Sequence, residues 1–167
     1  MSVFTKLAKN RLPKTARAAA GIPANERVIA WAPDQRDPEL FVIATNEAIY
    51  AKGSAIAWVD IIRAQWNEPF LELTTEQAGG RSQRLRIPLA EPGLLPAAVR
   101  TQVTANVVVS ETLILANGSQ CLAAARRQPG DEISWTVVFD EGVDPADPEN
   151  RAQADFALSE LRSALGI

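Results

Sequence analysis

The sequence contains no histidine, one cysteine, one tyrosine and one methionine in 167 residues. Without histidine, the usual general base near neutral pH and the commonest metal ligand are both missing. A single cysteine, Cys121, closes no internal disulfide, and a closed zinc site would need carboxylates almost alone. Cys121 stands between Gln120 and Leu122 in a strand-like stretch and reads as a small buried hydrophobe, in keeping with a reducing compartment. No serine lies in a G-x-S-x-G elbow. Neither Gly79-Gly80-Arg81 nor Gly118 is followed by the Lys-Ser/Thr of a phosphate loop. No apolar run approaches the roughly 20 residues needed to span a bilayer. The N-terminus lacks a signal peptide's apolar centre, because charges recur as far as Arg17. These absences leave carboxylate acid/base work as the one catalytic option. The expectation is a cytoplasmic non-enzyme with no metal, no cofactor and no nucleic-acid partner.

What is present fits a folded chain. The apolar fraction of 47% and charged fraction of 22% lie near globular averages, so disorder throughout is excluded. The length suits one domain, or one domain with an extension, and buries a core without staples. Charge is uneven along the chain. Residues 1–25 carry Lys6, Lys9, Arg11, Lys14 and Arg17 with no acid, a net +5. Residues 131–167 carry nine acids against Arg151 and Arg162, a net −7. Those five basic residues form a candidate interaction surface. It could serve an anionic membrane, with Phe4, Leu7 and Leu12 inserting, or a homodimer in which one chain's basic arm meets another's acidic tail.

Residues 3–20 read as a broken amphipathic helix, with Val3, Phe4, Leu7 and Ala8 on one side and Pro13 ending or kinking it. From Glu26 the pattern turns to short strands: Arg27 to Ala32, a polar loop over Pro33 to Pro38, then Leu40 to Ala44 and Ala48 to Ala51. A turn at Gly53-Ser54 precedes strands over Ile56 to Val59, Ile61 to Trp66 and Phe70 to Thr75. Gly79-Gly80 signals a hairpin into the alternating Leu85, Ile87 and Leu89. A helix follows from about Leu94 to Thr104, with Leu95, Val99 and Val103 as its buried stripe. Val107 to Ala116, Ser119 to Arg127 and Ile133 to Phe139 make a three-stranded meander with a turn at Asn117-Gly118. The last helix is announced by Asp147 as cap, Pro148 at its first position and Glu149 in the first turn. Its expected stripe is Ala154, Leu158, Leu161 and Leu165, broadened by Phe156, and Gly166 stops it.

Among chemical candidates, Asp140, Glu141, Asp144, Asp147 and Glu149 lack the spacing of a calcium loop and read as turn and cap residues. Trp58 and Trp135 read as inward-facing core, whereas Trp66, beside Arg63 and Asn67, reads as exposed and available to an interface. Arg84 and Arg86 share one strand face and form a basic stripe, with Arg81 nearby and Arg63 or Arg100 extending it.

Residues from Glu26 to about Val103 resemble bacterial pleckstrin-homology-like and GRAM-type domains. The resemblance runs through Glu26-Arg27-Val28-Ile29, Phe41-Val42-Ile43-Ala44-Thr45-Asn46-Glu47-Ala48-Ile49-Tyr50 and Ile56-Ala57-Trp58-Val59-Asp60-Ile61. In that family Thr-Asn or Thr-Asp marks a strand-to-strand bend. The whole chain also resembles a set of small actinobacterial proteins. The resemblance implies a strongly bent antiparallel sheet of about seven strands capped by a helix, with binding rather than catalytic functions. Phosphoinositide-binding members use a basic first loop. Here that loop sets Arg36 against Asp34 and Asp37, which points away from inositol phosphates.

The fold class expected is therefore α+β and mostly antiparallel β: a pleckstrin-homology-like bent sheet or split barrel with a capping helix, then a meander and a C-terminal helix. The organisation expected is a basic arm over 1–25, a β domain with helix over 26–105, and a meander plus helix over 106–167, which could belong to the same domain. The function expected is binding or scaffolding of a protein partner through that core, with peripheral membrane association as the alternative.

Overall fold

The computed structural model describes residues 11–128 and 130–167. Its first sheet is an antiparallel meander of β1 (Val28–Asp34), β2 (Asp37–Thr45), β3 (Ala48–Ala51) and β4 (Ser54–Ala57). A 3-10 turn, Trp58–Asp60, leads to the second sheet. That sheet comprises β5 (Ile61–Asn67), β6 (Phe70–Gln77), β7 (Arg81–Pro88), β8 (Val107–Ile114), β9 (Gln120–Arg127) and β10 (Ile133–Phe139). Its spatial order is β5-β6-β7-β10-β9-β8. Helix α1 (Lys14–Ala19) precedes the strands, α2 (Leu95–Asn106) separates β7 from β8, and α3 (Pro148–Leu165) follows β10. The architecture is α+β, mainly antiparallel, with a nearly closed barrel-like second sheet and a C-terminal helix.

Local chemistry explains the joints. At the Thr45-Asn46-Glu47 bend, the Thr45 hydroxyl accepts from the backbone N–H groups of Glu47 and Ala48, both at 3.1 Å. Asn46 Oδ1 accepts from the Arg27 N–H, and the Trp58 indole donates to the Thr45 carbonyl at 2.9 Å. A threonine–asparagine pair thus supplies the turn that polar side chains of this size favour. Between β6 and β7, Gly79 and Gly80 both take positive φ, +84° and +80°, a conformation other residues rarely adopt. Asp147 caps α3 by accepting from the Glu149 N–H at 2.8 Å, and Pro148 occupies the first turn.

One large core joins the parts. Ala32, Val42 and Ile49 of the first sheet pack with Trp58, Ile62, Leu73 and Ile87. Leu95, Val99 and Val103 of α2, with Leu122, Ala124 and Val138 of the meander, complete the cluster. The stripe expected for α2 is the one buried. A second cluster sets Ile22, beyond α1, against Ile43, Ala48 and Tyr50 on the other face of the first sheet. A third joins Leu115, Cys121 and Phe139 to Ala154 of α3.

Several expectations need correction. Pro33 to Pro38 is not an open loop: β1 and β2 continue to a two-residue turn at Gln35-Arg36, because Asp34 ties both the Arg36 N–H and its guanidinium. Of the broken helix expected over 3–20, residues 3–10 lie outside the described residues; in the described part Pro13 stands at the N-cap of α1 and residues 11–13 are not helical. Trp135 is half-buried and shares its strand face with Val137 and Phe139, away from the main core into which Val138 points. Phe156 does not broaden a buried stripe. Two residues from both Ala154 and Leu158, it turns to the far side of α3 and is 67% exposed.

Candidate functional site

The second sheet has free ends, and one of them faces a groove. Strand β5 pairs only with β6 among the described residues, in register Arg63↔Thr74, Gln65↔Glu72 and Asn67↔Phe70. Strand β8 comes alongside part of β5, where the Arg63 guanidinium donates to the Thr112 hydroxyl at 3.2 Å. Past that point β5 is bordered by the first half of α2 instead. Ala64, Gln65, Trp66 and Asn67 on one side, and Pro92, Gly93, Pro96, Ala97 and Arg100 on the other, enclose a groove of about 740 Å³. Leu71 is also in its lining. The backbone groups on the free edge of such a strand are available to pair with an added chain.

Trp66 is half-buried, not exposed: it packs against the main core, and its remaining surface faces the groove. The correction follows from strand alternation. Ala64 and Trp66 point to the core side, leaving Arg63, Gln65 and Asn67 outward. Arg100 is exposed at the groove and enters no ion pair among the described residues.

The other candidates scatter. Lys6 and Lys9 lie outside the described residues. Arg11 and Lys14 are exposed at and just before α1. Arg17 is engaged, its guanidinium donating to the carbonyls of Pro23 at 2.7 Å and Glu26 at 2.8 Å. Arg84 and Arg86 do lie on the outer face of β7, in register with Thr74 and Glu72. Arg86 pairs with Glu72 at 3.2 Å and sits over the Phe70 ring at 3.6 Å, so the stripe is interleaved with an acid. In the first β-turn, Asp34 is 4% exposed and holds Arg36 through two side-chain hydrogen bonds of 3.0 and 2.6 Å. Hydrogen bonding from Arg36 holds its carboxyl below the usual aspartate value.

The acids after β10 serve backbone geometry: Asp144 accepts from the Ala146 N–H at 2.9 Å, and Asp147 caps α3. No three metal-ligating side chains converge among the described residues. No helix among them is long and apolar enough to cross a membrane. Cys121 is 1% exposed, and burial pushes its thiol up to about 11. Such a thiol is neutral and shielded rather than a nucleophile at physiological pH. Sequence reasoning named Trp66 and Arg100 but not the groove, whose walls lie some 30 residues apart in the chain. No family model, curated protein or solved structure matches the chain.

Proposed function

We propose that this chain is a non-enzymatic binding protein with a pleckstrin-homology-like core, which takes an extended segment of a partner protein into the groove between β5 and α2. The observation that carries the reading is the free edge of β5 beside a groove lined by both apolar and polar side chains. Added main-chain hydrogen bonds would supply affinity there, and pockets for alternate side chains would supply selectivity. Trp66, Pro96 and Ala97 suit an apolar side chain of the guest, and Arg100 suits an acidic one. The core assignment rests on order: four antiparallel strands, a turn, three more, then the α2 helix packed over both groups. Fold order alone is a weak guide to function, so the groove bears the weight.

A phage-displayed library of random 12-residue peptides selected on the full chain tests this. Selected peptides should bind the wild type and weaken about tenfold or more on Ala97→Glu, which fills the groove from an exposed helix position. Arg11→Glu, remote from the groove, should leave them unchanged. Selection of peptides indifferent to Ala97→Glu, or of none, defeats the reading.

A further inference from the structure

Among the described residues, the buried side chains of helix α3 and its side-chain hydrogen bonds to the meander fall in its first two turns. Asn150 is buried, accepting from Asn117 at 2.9 Å and donating to the Asp144 carbonyl at 3.1 Å. Gln153 accepts from the Ala116 N–H at 2.9 Å, and Ala154 is 1% exposed against Leu115, Cys121 and Phe139. Leu158 and Leu161 belong to none of the three apolar clusters among the described residues and keep part of their surface open, and Leu165 is 45% exposed. Ala154, Leu158, Leu161 and Leu165 nevertheless follow one another four, three and four residues apart, the spacing of a helix–helix seam.

The residues beside that seam indicate what covers it. Asp155 and Arg162 lie along one flank, and neither enters an ion pair among the described residues. Ala157 and Ala164 lie along the other flank and present no bulk or charge. When two copies of this segment are set antiparallel about a two-fold axis near Ser159, Leu158 of each meets Leu161 of the other. The same operation brings each Asp155 toward the opposite Arg162, twice over. A parallel pairing would instead set the Asp155 and Arg162 flank of each helix against the alanine flank of the other, leaving those charges without partners. The small alanines let the helices approach closely on the remaining side. The flank is thus complementary to itself only in the antiparallel arrangement, whose two-fold makes the contact isologous.

We infer that a second copy of this chain docks antiparallel on the Leu158–Leu165 face of α3, forming a symmetric dimer. The contact is small beside standard interfaces of about 1,600 Å², so the dimer is weak, with a Kd on the order of 10–100 μM. It lies on the opposite sheet assembly from α1, and needs nothing from the β5 groove.

Sedimentation velocity of the full chain from ~10 μM to ~1 mM reads this directly, since such a series brackets the expected Kd. Wild type should shift from monomer toward dimer. Asp155→Arg and Arg162→Asp should each weaken the association about tenfold, and the double exchange Asp155→Arg with Arg162→Asp should restore it. Leu161→Glu should leave a monomer. Thermal melts of the same variants establish that each is folded. A wild type that stays monomeric over the whole range overturns the inference. So does a dimer that ignores Leu161→Glu, or a charge exchange that fails to restore association in folded protein.

Discussion

Tyr50 and Glu26, 24 residues apart, meet hydroxyl to carboxylate at 3.0 Å. The Thr45 hydroxyl donates to the same carboxylate at 2.7 Å, while Arg17 holds the Pro23 and Glu26 carbonyls. One acid therefore ties the segment after α1 to the β2–β3 hairpin. Burial, then the neighbouring Glu26, raises the Tyr50 phenol above its ordinary value. For a raised group, the stabilisation is full below the unfolded value near 10 and is lost as pH climbs through the folded one.

Tyr50 is the only tyrosine, so alkaline ultraviolet titration reports on it alone. Its midpoint should lie above 10 in the wild type, and Glu26→Gln should lower it without reaching the free value, because burial is the larger cause. Glu26→Ala should cost about 1–2 kcal/mol and speed tryptic cleavage at Arg17. A midpoint unchanged in Glu26→Gln would contradict the assigned contact.

Asp34 shifts the opposite way. Its stabilisation is complete above the ordinary value of 3.8 and is lost as pH falls through the lowered folded value. Asp34→Asn should cost about 1 kcal/mol at pH 7, at the low end for a charged hydrogen bond because Arg36 is half exposed. The gap between wild type and variant should close on acidification through that window. A constant gap in chemical denaturation down to pH 2.5, about a unit or more below the free value, would remove the ion pair as its cause.

Cys121 should resist iodoacetamide at pH 8 in the native protein and react promptly in urea, since burial keeps its thiol neutral and covered. Labelling of folded protein at the rate of a free thiol would show that the contact between α3 and the meander opens readily.

Arg126 closes one end of the barrel. Its side chain is 12% exposed, donates to the Val59 carbonyl, and reaches Glu76 at 3.3 Å. These contacts join β9 to β6 and to the turn before β5. Arg126→Ala should cost about 2–3 kcal/mol, and Arg126→Met less because its stem keeps the packing. Denaturation midpoints rank the three proteins, and an alanine variant as stable as wild type would sink the clamp.

The local elements were legible because their signals are local. Asn117-Gly118 and Gly79-Gly80 mark turns by backbone freedom, Leu95, Val99 and Val103 mark a helix face, and Asp147-Pro148 marks a helix start. What escaped depended on distant partners. Nothing near Trp66 states that its inner side meets the core while its rim faces α2. The groove escaped for the same reason, being a gap between β5 and α2 that neither segment encodes alone. The Asp34–Arg36 turn is the exception, since its partners are two residues apart and read in the sequence only as opposed charges rather than as a turn-closing pair.

Strands β7 and β10 touch at a single parallel rung, Phe139 against Arg81. Two bonds secure it, from the Phe139 N–H to the Gly80 carbonyl at 2.9 Å and from the Ser82 hydroxyl to the Phe139 carbonyl at 3.0 Å. Every other ladder contact in this sheet is shared along most of a strand. The backbone of the meander is thus moored to the rest of its sheet at one pin rather than along a zip. Tension or partial denaturation should part the molecule there first, releasing β8 to β10 and α3 as a unit while the first seven strands keep their hydrogen-exchange protection.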